Sequence, residues 1–314
     1  MSLAETPIAR RSFLKAAVPC FAFTAGLVVR SQTLIERGQF GEDDLGIARA
    51  QLLDLVNSER SLAGAPTLEL DDLACKIANE HALDMVTGDF LSHWGSDGRK
   101  PYQRYSFAGG SDATRENVSA AEHIASVTPK GVNADLRDMH MAMHAETPPN
   151  DGHRRAILAP QYTHVGFGIA LKGHSLRLAE IYLARYLEIE PVARQAPRKA
   201  TVVLTGHLLN AKHFLHEVDV FYEPLPNPPD AVWLRTARPY SLPDEYVALR
   251  PKVPPGTTYE DGSTGDYEWS RNGKFRVPAK LYKDAPGIYT IVFWIRRVPT
   301  DTAFPAAEIC IRCK

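Results

Sequence analysis

Three short islands hold the side chains that could do chemistry in this 314-residue chain. They are Ser92-His93-Trp94-Gly95 with Asp97-Gly98, then Glu116-Asn117-Val118, then Gly152-His153-Arg154. Two imidazoles and a carboxylate are the set that can hold a divalent metal and also move a proton. Such a set leaves the shell around Zn²⁺ or a similar ion incomplete, so the vacant positions take water. An open site lowers that water's pKa towards neutrality, and a nearby acid can accept its proton, which is hydrolase chemistry. No Gly-x-Ser-x-Gly elbow, no His-Glu-x-x-His run and no oxyanion-forming loop is legible. His140 and His144 form an i, i+4 pair that could grip a metal alone. They flank the Met139/Met143 stripe and therefore read as pocket rim or surface.

These islands need supports. Asp43-Asp44 caps a helix whose apolar positions Ala48, Leu52, Leu55, Val56 and Leu62 follow helical spacing up to Gly64. A second helix starts after Asp71-Asp72 and carries Leu73, Ile77, His81 and Met85 on one stripe to Gly88, so His81 reads as a hydrogen-bonded structural imidazole. From Arg99 to Lys130 no period is sustained, and Glu116 is expected on a loop or short helix. Asn133 to Ala145 is a helix with the face Leu136, Met139 and Met143, stopped by Thr147-Pro148-Pro149-Asn150. Val165 to Leu171 and Leu178 to Tyr186 read as strands. Beyond Pro191 to Pro197 the period changes to two, as in Val218/Val220/Tyr222 and Ile288/Thr290/Val292/Trp294. That tail reads as a separate β-sandwich.

The length exceeds what one core usually organises. A formal charge of -1 gives no clustered basic footprint, so nucleic acid is dropped as a partner. Arg10-Arg11-Ser12-Phe13-Leu14-Lys15 resembles the twin-arginine export motif, and the uncharged run Ala16 to Val29 after it is short of the roughly twenty residues a membrane span needs. Residues 1–30 thus read as an export signal and not a stable transmembrane anchor, which places the mature protein in the periplasm or outside the cell. Beyond the signal stand Cys75, Cys310 and Cys313. Cys310 and Cys313 lie on an alternating stretch where residues three apart sit about 10 Å from each other, beyond the roughly 7 Å a disulfide tolerates. Cys75 reads as a small buried hydrophobe.

In their order, the islands resemble the CAP superfamily of cysteine-rich secretory, antigen 5 and pathogenesis-related proteins, in its bacterial secreted branch. The resemblance also rests on Leu55-Val56-Asn57-Ser58-Glu59-Arg60, on Ala78-Asn79-Glu80-His81-Ala82-Leu83-Asp84-Met85, and on Gly152-His153-Arg154-Arg155-Ala156-Ile157-Leu158 with Val165-Gly166-Phe167-Gly168. It implies an α+β fold, a CAP-type α/β/α sandwich over residues 45–188, after a 31–44 linker. A proline-rich linker at 189–200 and an all-β domain at 201–314 complete the expected organisation. It further implies His93 and His153 as metal ligands, Glu116 as the motif's acid, and Glu146 as a second acid, since Met143 stands where many relatives have tryptophan. A solvated helix-end carboxylate is the other reading of Glu146. The expected function is an exported protein binding a small molecule, lipid or cell-surface ligand through a zinc-capable His/Glu pocket. The alternatives are a metal-dependent extracytoplasmic hydrolase of peptides or cell wall, in which Glu116 or Glu146 is catalytic, and an adhesion module with a buried polar network.

Overall fold

The computed structural model describes residues 41–270 and 272–314. The export-signal reading of residues 1–30 lies outside the described residues. The first region runs α1 (Glu42–Leu62), β1 (Glu69–Leu70), α2 (Asp72–Gly88), α3 (Pro101–Phe107), β2 (Ala113–Ala121), α4 (Pro129–His144), α5 (Gly152–Leu158), β3 (His164–Lys172) and β4 (Ser175–Ala184). Its helices begin where side chains satisfy free backbone donors: Asp44 accepts from Gly41 N–H, Asp71 from Ala74 N–H and Thr128 from Gly131 N–H. The last of these starts α4 one turn before the expected Asn133.

Four strands form one sheet in the order β1-β3-β4-β2, with β1 parallel to β3 and the other pairs antiparallel. Period-two alternation on β3 separates two cores. Val165, Phe167, Ile169 and Leu171 face α1 and α4, where Leu52, Val56, Leu136 and Met143 pack against them. On the other face, Gly166 and Gly168 let α2 approach: a Cβ at Gly166 would meet the backbone of Ala74 and Cys75, and one at Gly168 that of Ala78. This is the α/β/α sandwich expected from the sequence.

The second region contains β5 (Leu187–Ile189), β6 (Gln195–Ala196), β7 (Thr201–Leu208), β8 (Phe214–Glu223), α6 (Ala231–Leu234), β9 (Tyr246–Leu249), β10 (Glu268–Trp269), β11 (Lys274–Lys280), β12 (Gly287–Arg296) and β13 (Phe304–Cys313). Two sheets, ordered β10-β11-β7-β5 and β6-β13-β12-β8-β9, enclose a core that includes Leu204, Val277, Val220, Phe293 and Ile309. Cys310 and Cys313 are free and buried on β13, and Cys75 is free and buried in α2.

Two expectations change here. The 189–200 segment is not a free linker: β5 pairs with β7 and β6 with β13, so the C-terminal sheets begin by Leu187. The tail reads from the sequence as a separate β-sandwich, yet polar ties and an apolar cluster cross this boundary. Tyr102 Oη donates to Glu223 at 2.8 Å, Ser106 Oγ accepts from Cys310 N–H at 2.8 Å, and Glu308 accepts from Thr114 N–H at 2.9 Å. Tyr102, Ile288 and Cys310 pack together there with Phe107, Tyr240 and Leu242. The cause is the alternation along β12. Tyr289, Ile291 and Phe293 point into the core of the sandwich, which leaves Ile288 and Thr290 on its outer face. Those two are 2% and 1% exposed, because the first region covers them.

Candidate functional site

The second island lies on a strand, a correction to the loop or short helix expected for Glu116. β2 is an edge strand, so Glu116 on one face and Asn117 on the other both border the cleft at its free side. Composition hid it, because Thr114 to Ala121 mixes polar and small residues without a clean alternation.

His93, Glu116, Glu146 and His153 all line one cavity of about 480 Å³. His93 Nδ1 is 3.0 Å from Glu116 Oε1, and His153 Nδ1 is 2.5 Å from Glu146 Oε1. Glu146 also accepts from His153 N–H at 2.9 Å, which joins the end of α4 to the start of α5. The helix-end acid is therefore directed at His153, so Glu146 is not merely a solvated carboxylate. Each imidazole thus has its Nδ1 against its own carboxylate, and among the described residues neither Nε2 has a protein partner.

Glu116 is 1% exposed. Burial pushes its carboxyl up, but Arg104, His81 and His93 outweigh that and bring it to about 2. Arg104 Nη2 stands 2.5 Å from Glu116 Oε2, while its Nη1 donates to the carbonyls of His93 and Arg99. The same guanidinium therefore fixes the first island against the second. His81 is a structural imidazole as expected: Nε2 is 2.8 Å from Ser92 O, and burial, foremost, pulls its pKa down to about 4.

His140 is a correction. It was expected at the rim or surface, but it is fully buried between Glu180 Oε1 at 2.6 Å and Glu59 Oε2 at 2.8 Å. Burial lowers its pKa, yet the two carboxylates prevail and raise it to about 10, so this imidazole is a cation at neutral pH. Asn117 Nδ2 reaches Glu180 Oε2 at 3.2 Å and His153 O at 3.3 Å, which ties this network to the cleft wall. His144 is less buried and sits 3.3 Å from Glu59 Oε1. A signal for both acids was present in the sequence. Glu59 falls on the apolar stripe of α1, and Glu180 interrupts the apolar run Leu178 to Tyr182.

The last wall comes from the C-terminal region, where sequence reasoning saw no function. Tyr240 Oη accepts from Glu116 N–H at 2.8 Å, and its ring lies 4.8 Å from that of His93. This phenol caps a free backbone donor of the edge strand. Ala237, Arg238 and Pro239 also line the cavity.

Among the described residues no group of three or more His, Cys, Asp and Glu side chains stands positioned to hold an ion. The carboxylates instead orient the two rings through their Nδ1 atoms. An ion here would have two protein nitrogens and otherwise solvent or ligand.

Residues 53–184 match the family described as "CAP: Cysteine-rich secretory protein family". A curated relative, the uncharacterized protein YkwD of Bacillus subtilis (strain 168), is 28% identical over 123 residues, which is 39% of this chain and 42% of that protein. The chain thus spans less than half the length of that relative. Among solved structures, an outer surface protein from Borrelia burgdorferi is 18% identical, covering 46% of this chain and 94% of the other with a TM-score of 0.37. An extracellular SCP-domain protein of Bacillus anthracis is 22% identical, covering 47% and 45% with a TM-score of 0.35. Among the described residues no helix is long and apolar enough to cross a membrane. The segment 53–184, which contains the three ordered islands, is the part of the chain that resembles the CAP family and its bacterial relatives.

Proposed function

We propose that the chain is an exported binding protein whose cleft receives a small molecule, a lipid or an exposed part of a cell-surface ligand. The observation that carries this reading is the single cavity lined by His93 and His153, with each Nδ1 against a glutamate and an apolar wall beside them. Its volume of about 480 Å³ lies in the range that holds small organic ligands. His93 Nε2 and His153 Nε2 are the atoms that would hold a divalent ion, zinc by donor type, exchangeably rather than in a closed cage. Such an ion would act as a Lewis acid towards an oxygen of the ligand. The hydrolase alternative is weaker at Glu116. A carboxylate held at about 2 is a poor general base near neutrality. The reading of export rests on Arg10-Arg11 and the apolar run after them.

Zinc titration of tag-free protein by calorimetry tests the ion. One site is expected, lost in His93→Ala and in His153→Ala and retained in His207→Ala on β7. Saturation unaffected by either cleft substitution would end the two-imidazole assignment. Export is tested by fusing residues 1–40 to a reporter, with Arg10→Lys/Arg11→Lys expected to block its translocation.

A further inference from the structure

We infer that the cleft recognises an organic oxyanion, a carboxylate or a phosphate monoester, through Arg115, Arg238 and Tyr240. The inference rests on the reading of the cleft as a ligand site and does not require the ion. Its basis is the charge left over in the cavity. Both acids there are already matched: Glu116 by Arg104 and His93, Glu146 by the ring and backbone N–H of His153. Arg115 and Arg238 line the same cavity, and among the described residues neither is in a salt bridge. Two exposed guanidiniums without carboxylates on the lining of one cavity favour an anion, and their planar forks match carboxylate and phosphate geometry.

Aromatic rings position these groups. The Arg238 guanidinium carbon lies 4.7 Å from the Trp233 ring centroid, and that ring meets Trp94 edge-on at 5.3 Å. The Arg115 guanidinium carbon lies 5.7 Å from the Tyr240 ring centroid. Tyr240 Oη accepts from Glu116 N–H, so its own O–H is the donor that remains for a ligand. Leu91, Val118 and Pro239 supply apolar lining for the body of the ligand. Arg238 and Tyr240 lie outside the matched segment 53–184, so this subsite is an addition by the C-terminal region to the CAP cleft.

The test is calorimetry on the full chain in the presence of EDTA, with four probes of one shape: benzoate, phenyl phosphate, benzamide and benzylamine. At least one oxyanion should bind, and the neutral and cationic probes should bind tenfold more weakly or not at all. The stronger of benzoate and phenyl phosphate identifies the headgroup. Arg115→Gln and Arg238→Gln should each weaken that probe about tenfold, and Tyr240→Phe about tenfold or more, as expected for losing one hydrogen bond to a charged group. Affinity should also fall as salt rises. Thermal melting of Arg238→Gln, whose side chain is exposed, should match the parent. Equal binding of benzamide and benzoate, unchanged affinity in Arg115→Gln/Arg238→Gln, or no binding of any probe would overturn the inference. Zinc binding without an oxyanion preference defeats only this inference, whereas oxyanion binding without zinc binding defeats only the ion.

Discussion

Arg104 and Glu116 form a buried ion pair, with 2.5 Å between Nη2 and Oε2, at the point where the first two sequence islands meet. Removing one partner strands the other charge in a low-dielectric site. Arg104→Met should therefore cost about 3–5 kcal/mol in chemical denaturation. Adding Glu116→Gln should restore part of this, with a coupling of more than about 1 kcal/mol in the double-mutant cycle. Strictly additive losses would mean that the pair carries no mutual energy.

His140 is the cation between Glu59 and Glu180, so His140→Leu leaves two buried carboxylates facing one another. A loss of about 3–5 kcal/mol is expected. The sign of its pH dependence follows from the raised pKa. A His with a folded value of about 10 contributes stability that is complete below the unfolded value of 6.5 and is lost as pH rises through 10. Melting temperatures between pH 7 and 11 should fall in the parent and be flat for this contribution in the variant.

Glu308 shows the opposite case. It is 5% exposed, and burial raises its carboxyl to about 7 although Thr114 donates to it through N–H and Oγ1–H. The folded chain therefore keeps a proton that the unfolded chain releases near the ordinary 4.5, and stability falls as pH rises from 4.5 to 7. The full effect is bounded at about 3 kcal/mol. Glu308→Gln should remove this slope and be more stable than the parent at pH 8, as read by denaturation at pH 4.5 and pH 8.

Gly168 on β3 sets the distance between the sheet and α2. Gly168→Ala drives a Cβ into the backbone of Ala78, which no rotamer change can relieve. A loss of about 1–3 kcal/mol or more is expected, against less than about 0.5 kcal/mol for Gly152→Ala, which meets nothing within 4 Å. Equal melting temperatures for the two variants would show that the sheet and α2 separate without strain.

The periodic elements and the identity of the islands were legible in the order of residues alone. Asp71 announced α2, the stripes through Val56 and Met143 announced the helical faces, and period two announced the C-terminal strands. These are local properties, readable because capping and amphipathic spacing act within a few residues. The islands at His93, Glu116 and His153 could be named for the same reason, since their order is linear information. How they are joined is a matter of the folded chain. Arg104 reaches Glu116 across 12 positions, His140 reaches Glu59 across 81, and Tyr240 reaches Glu116 across 124. No pattern within the chain encodes such pairings, because they depend on which elements the fold packs against one another. The linker expectation failed on the same ground. A proline-rich stretch reads as a spacer locally, but strand pairing draws it into the C-terminal sheets, and the apolar outer face carrying Ile288 and Cys310 packs those sheets against the first region.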